Sequence, residues 1–201
     1  EAQGFELSGS RMRRGSEIYL PLYEAKMIWH YDHRFGSFAN HPDRTNTQLP
    51  DPTLDDYQNP SYISIPWYWV SQQEVEETLK DWKHPWLMVF RDIARSTDER
   101  SAIFSIIPKT GVGNTSPICL VDILTRLHLL CFYAYIASII FDFIVRQKIS
   151  GTHLNFHYVK QLPVPSPESF TDEDRSFLVP QALELIYTAW DLRGFADEVW
   201  A

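Results

Sequence analysis

LHLLCFYAYIASIIF, residues 127–141, runs for fifteen residues without a charge between Arg126 and Asp142. Nothing else in the chain constrains the fold as strongly, because so much apolar surface has to leave water. The run is shorter than the roughly 20 residues a helix needs to cross a bilayer. It therefore predicts a buried core helix, around which the rest of the chain has to assemble. Hydrophobic residues make up 44% of the 201, enough to enclose that helix in a real core. Thirteen prolines and eight glycines predict many short elements instead of a long bundle. Cys119 and Cys131 lie in or beside the apolar region without a CxxC spacing, as expected of reduced thiols in a cytoplasmic protein with no membrane partner. The chain opens on Glu1 and a polar run with no apolar h-region, the expectation for a piece of a longer protein and not for a signal peptide.

Local patterns predict the elements. Residues 17–35 and 61–70 read as strand-like, separated by a polar, Pro- and Asp-rich loop over 36–60. Ser71 with Glu74 reads as a capping box opening a helix over about 72–82. WLMVFRDIA (86–94) and SAIFSIIP (101–108) read as two strands of a hairpin around STDER. Residues 118–148 read as helical with a break near Ser138, and NFHYVKQL (155–162) as a strand. Thr171 with Asp174 caps a last helical region, 172–193, interrupted at Pro180 and ending near Gly194. The prediction is an α+β fold with a small, twisted, mostly antiparallel sheet packed with helices. Residues 1–167 form the body, and the acidic segment 168–201 packs on it.

The motif search removes more chemistry than it adds. QNPSY (58–62) lacks the second proline of the N-P-P-Y type methyltransferase motif. TGVGN (110–114) lacks the third glycine and the Lys-Ser/Thr of a phosphate loop. The close pairs His30/His33 and His153/His157 have no Cys or carboxylate at metal-ligand spacing. No G-x-S-x-G or paired-carboxylate-plus-Lys arrangement is present. The chain supplies no catalytic group, metal ligand or cofactor site of its own on these readings.

Charge is distributed unevenly. The balance is −8, against a simple nucleic-acid binder. Residues 168–201 hold eight acids against Arg175 and Arg193, a local net of −6. Residues 143–167 hold Arg146, Lys148 and Lys160 and no acid, a local net of +3. Binding depends on one face, so such a segment outweighs the overall sign. Three stretches, 26–34, 91–100 and 146–155, combine basic residues with hydroxyl, amide and imidazole groups, the side chains that hold phosphates and match base edges.

PLYEAKMIWHYDHRF, PWYWV, FRDIARSTDERSAIFSIIP, GVGN and FDFIVRQKISGTHLNFHYVKQLPVP occur in that order between Pro21 and Pro165. Together they resemble the C-terminal target-recognition region of adenine-specific DNA methylases of type IIG-like restriction–modification and phage-defence systems. The Leu-Pro-Val-Pro ending is similar in style to type I specificity subunits. Residues 1–16 and 36–60 add little to the resemblance. It implies that this chain binds double-stranded DNA and reads its sequence. A separate N-terminal methyltransferase domain would hold S-adenosylmethionine and modify a flipped adenine. The expected phosphate contacts are Lys26, Arg34, Arg95, Arg100 and Lys148. The expected base readers are His30, Arg146, Gln147, Thr152, His153 and Asn155, with Gly151 allowing a tight turn among them. The rival expectation is a module that docks a partner protein through Trp67, Tyr68 and Trp69.

Overall fold

The computed structural model describes residues 4–39, 41, 43, 45, 48–121 and 126–200. The strands are β1 (Glu6–Ser8), β2 (Arg11–Arg14), β3 (Glu17–Tyr23), β4 (Trp69–Ser71), β5 (Trp86–Phe90), β6 (Phe104–Pro108), β7 (Gly111–Val112) and β8 (Ile118–Cys119). The helices are α1 (Leu54–Gln58), α2 (Gln72–Thr78), α3 (Arg126–Ile136), α4 (Ile139–Lys148), α5 (Phe156–Val159), α6 (Asp172–Ile186) and α7 (Arg193–Trp200). The fold is α+β, and its sheets are antiparallel except for one short parallel pairing.

The WLMVF strand β5 is buried along its whole length. A strand apolar on both faces belongs in the middle of a sheet, and β5 lies between β6 and β8, antiparallel to both. The predicted hairpin is therefore present, with Trp86 opposite Pro108 and Phe90 opposite Phe104. The second sheet runs β1-β2-β3-β4, with β7 parallel to β3. That parallel contact needs glycine, because a Cβ on Gly111 would lie 2.4 Å from Cγ1 of Val70. The TGVGN stretch is a packing splice and not a phosphate loop.

The apolar run becomes α3 and the first turn of α4, with the described axes bent by 61°. Ser138 makes the break: its hydroxyl accepts from the Phe141 N–H and caps α4. Leu130, Tyr133 and Ile136 of α3 and Phe141 and Val145 of α4 are buried in the core shared with β5 and β6. No single helix among the described residues is long and apolar enough to cross a membrane. The 168–201 segment joins the same core through Leu183, Ile186, Leu192 and Phe195.

Several local expectations are corrected. Residues 155–162 are not a strand. Asn155 accepts from the N–H groups of His157 and Tyr158 at 3.0 and 3.3 Å and opens the short helix α5. Ser71 makes no side-chain cap on α2, which ends at Thr78. The Thr171–Asp174 capping box is formed, but Pro180 lies inside α6 without ending it. The last helical region stops at Ile186 and resumes as α7. Gly194 lies within α7, where a Cβ would come within 2.8 Å of the Pro85 ring. Within 17–35 only Glu17–Tyr23 is strand. Past it, Tyr31 takes a φ of 60°, held by its N–H donating to the Tyr133 hydroxyl at 2.9 Å.

Arg34, an expected phosphate contact, is fully buried. Its guanidinium donates to four backbone carbonyls, those of Tyr57, Asn59, Tyr62 and Thr188. It thereby ties the α1 loop to the segment after α6. Such a group cannot reach DNA, and its loss removes four hydrogen bonds at once. Arg34→Ala should lower the unfolding free energy by more than about 3 kcal/mol, since a hydrogen bond to a charged group contributes about 1.5–3 kcal/mol. Arg95→Ala, at the surface, should stay within about 0.5 kcal/mol. Urea unfolding of the two variants checks both values.

Candidate nucleic-acid interface

The connection between β5 and β6, residues 91–103, meets the chain that leaves α4. Ile93 and His153 form an antiparallel bridge. The Ala94 N–H donates to the Thr152 carbonyl at 3.0 Å, and the Leu154 N–H to the Asp92 carbonyl at 2.6 Å. Ile149 and Leu154 are buried, whereas residues 150–153 between them are exposed. Two apolar anchors thus hold an arch on the surface. Gly151 does not have a positive φ, and a Cβ there would meet nothing within 4 Å. A tight turn is therefore not what requires glycine at this position.

Residues 95–99 are fixed from beneath. The Asp98 N–H donates to the Arg95 carbonyl at 3.1 Å, while the Arg95 N–H donates to the Asp98 carboxylate at 2.8 Å. Arg146 reaches up from α4 and donates to the Ser96 carbonyl at 2.9 Å, the Asp98 carbonyl at 2.6 Å and the Glu99 carbonyl. Its Nε donates to the Asp142 carboxylate at 2.7 Å. The other Asp142 oxygen accepts from the N–H groups of Ser101 and Ala102 at 2.7 and 2.9 Å. Arg100 lies 3.4 Å from the same oxygen and caps the end of α3, donating to the Ala137 and Ser138 carbonyls. Burial alone would raise the Asp142 pKa. The Ala102 N–H, Arg146, the Ser101 N–H and Arg100 outweigh it and hold the carboxyl below its ordinary value.

These partners reassign several predicted contacts. Arg146 and Arg100 hold the loop from inside, so neither is free to read a base or grip a phosphate. Asn155 is occupied as a helix cap. His30 is buried at both ring nitrogens, without a hydrogen-bond partner among the described residues. Burial, then the Arg100 charge, lower its pKa to about 4, with Asp142 opposing and Arg91 adding. It is neutral at pH 7 and is not presented to a ligand. Lys26 is mostly covered, lying 4.7 Å over the Phe38 ring and 3.8 Å from Glu24. It lines a shallow groove of about 260 Å³ with Arg91, Ile93 and Thr115.

Arg95, Gln147, Lys148 and Thr152 remain exposed. His153 is exposed over 56% of its side chain, with Nδ1 2.8 Å from the Asp92 carboxylate. The Arg146 clamp and the 93/153 bridge hold the Arg95–Thr97 loop next to Thr152 and His153 as one rim, while Gln147 and Lys148 lie in the last turn of α4, which leads into the same arch. Glu99 is exposed on the same loop and opposes an anionic ligand there. Trp67 and Tyr68, the expected docking aromatics, are exposed at 37% and 45%. A larger apolar surface, which sequence reasoning missed, lies on α4 at Ile139, Ile140 and Phe143, exposed at 77%, 70% and 62%. The signal for it was available: only one stripe of a helix can face the core.

Among the described residues no group of three His, Cys, Asp or Glu side chains is placed to hold a metal. Burial pushes the Cys119 thiol up to about 12, which keeps it protonated. Comparison with protein families, curated proteins and solved structures finds no match to this chain.

Arg146→Ala should release the loop without unfolding the domain. Amide hydrogen exchange in 95–103 should rise, while β5 and β6 stay protected. Asp142→Asn tests the charge. Because the folded pKa of Asp142 is depressed, its contribution is complete above the unfolded value of about 3.9 and is lost as pH falls through the folded value. The stability gap between wild type and Asp142→Asn should hold at neutral pH and close below about pH 4, as read by urea unfolding across pH.

Proposed function

We propose that this chain recognises a specific double-stranded DNA sequence for an S-adenosylmethionine-dependent N6-adenine methyltransferase of a restriction–modification or phage-defence system. The resemblance over Pro21–Pro165 supplies the methyltransferase context, and one observation carries the DNA reading. The acid-free 146–155 stretch and the 95–99 loop are braced together, with exposed Arg95 on a loop tied to Thr152 and His153 and exposed Gln147 and Lys148 in the helix turn that leads into the same stretch.

A rim fixed before binding pays little ordering entropy on contact. Arg95 and Lys148 fit phosphate contacts, with Ser96, Thr97 and Ser150 offering neutral hydroxyl donors to phosphate oxygens. Gln147 has the paired donor and acceptor that match adenine in the major groove, and Thr152 suits either hydrogen bonding or contact with a thymine methyl. His153 is oriented by Asp92 and presents its remaining ring nitrogen. In this reading S-adenosylmethionine and the methyl transfer belong to a separate domain, and this chain contributes grip and sequence choice. A second reading, docking of a partner protein, is favoured by Ile139, Ile140 and Phe143. It predicts binding that is insensitive to salt and lost in Phe143→Asp.

Fluorescence anisotropy with a random-sequence duplex at several salt concentrations separates the two. Lys148→Ala and Arg95→Ala should each weaken binding on every sequence and reduce the log–log salt slope by about 0.9. Arg146→Ala should weaken binding without that change of slope, since it touches no phosphate. In a methylation-deficient host carrying the chain with its methyltransferase domain, exchange of Gln147, Thr152 and His153 should change the methylated motif, as read by long-read mapping of modified adenines. An unchanged motif would remove those residues as readers, and DNA binding without any salt dependence would sink the whole assignment.

A further inference from the structure

At the other end of the β5–β6 hairpin from the rim, beside Pro85 and Pro108, lies a cavity of about 330 Å³. It is lined by β2, β3 and β4, by α2, and by the turn after β6, and it opens to solvent on one side. Leu20, Pro21 and Trp69 supply apolar wall, and the polar groups among them are unusual for their burial. Ser64 is 3% exposed, and its hydroxyl has no hydrogen-bond partner among the described residues. Gln72 donates from Nε2 to Glu76 at 2.6 Å, whereas its buried Oε1 has no partner among them. The Asp191 side chain is 8% exposed, with Oδ1 2.9 Å from Nε2 of the fully buried His33. Tyr23 is 3% exposed. Burial, and after it the Asp191 charge, raise its pKa well above the ordinary value, so the hydroxyl keeps its proton as a donor.

A buried polar group without a partner costs about 1–3 kcal/mol. A cavity that gathers two of them beside the Tyr23 and Asp191 side chains has the character of a binding site, where a few polar groups converge within apolar walls. The donor–acceptor balance narrows the ligand. Gln72 Oε1 and the Asp191 carboxylate require hydrogen-bond donors, the Tyr23 hydroxyl requires an acceptor, and Ser64 takes either. The charges lining the site cancel in type, Asp191 and Glu76 against Arg11 and Lys109. A neutral ligand is therefore favoured over an ion. Trp69 and the proline rings favour a flat ring, and the volume is near the lower end of small-molecule sites, about 300–1,000 Å³. An amino-substituted heterocycle combines these features, with amino N–H donors beside ring-nitrogen acceptors on one plane.

We propose that this cavity binds a neutral, nucleoside-sized amino heterocycle, at a site separate from the DNA-facing rim. Isothermal titration calorimetry on the full chain, with adenosine, cytidine, uridine and glucose as probes, tests it. At least one of the two amino nucleosides should bind with a Kd below about 1 mM, and uridine and glucose should bind at least tenfold more weakly. Ser64→Leu, which fills the cavity, and Gln72→Met, which removes the acceptor, should each weaken binding at least tenfold while leaving the melting temperature near wild type. Asp191 is left unsubstituted because it also partners His33. The proposal is overturned if neither amino nucleoside binds, if uridine or glucose binds as well as they do, or if binding survives Ser64→Leu.

Discussion

The candidate interface depends on one buried carboxylate. Asp142 is 3% exposed and stands where the bend between α3 and α4 meets the β5–β6 connection. A charge buried in that position has to be met by donors, or it costs several kcal/mol. Here the donors are the N–H groups of Ser101 and Ala102 and the guanidinium of Arg146, with Arg100 alongside. Each donor belongs to a piece of chain that has to be held. Satisfying one carboxylate therefore closes the helix break, fixes the return into β6 and orients the arginine that carries the 96–99 carbonyls. The surface is shaped from below by a network with no exposed member of its own.

This arrangement explains which parts of the molecule were legible in the sequence. The β5–β6 hairpin was readable because WLMVF and FSIIP are apolar runs of strand length around a polar turn. The break at Ser138 and the cap at Thr171 were readable because a hydroxyl at a helix start acts within three or four residues of itself. The arginines were not readable. Arg34, Arg95, Arg100 and Arg146 have the same side chain, and only long-range partners separate the exposed one from the three spent on backbone carbonyls. Arg146 finds its carbonyls about fifty residues away, and Arg34 reaches Thr188 from across the chain. Residues 155–162 misled for a local reason. Asn155 offers its side chain to two nearby N–H groups and so turns an apparently extended segment into a helix.

The acidic C-terminal segment is part of the fold. Asp191 meets His33, and Glu198 accepts from the Trp86 indole at 2.8 Å and lies 2.9 Å from His84. Two of the eight carboxylates that give this segment its local charge are thus turned inward, at the hairpin end remote from the rim. Acids and bases meet at both ends of β5 and β6: Asp191 and Glu76 stand with Arg11 and Lys109 at the Trp86–Pro108 end, and Asp142 with Arg100 and Arg146 beyond Phe90 and Phe104.

Ile149 and Leu154 give the rim a property of a different kind. Both are buried, and the four residues between them contribute no side chain to the core. The arch is fastened at its apolar feet and by the backbone contacts of Thr152 and His153 with Ala94 and Ile93, while its side chains face outward, so those of residues 150–153 can be exchanged without repacking the interior. The outward residues can then diversify quickly while Asp142, Arg146 and the two apolar feet stay fixed. That is modularity at the scale of a single turn, a scaffold on which new surface chemistries can be tried without the fold being put at risk.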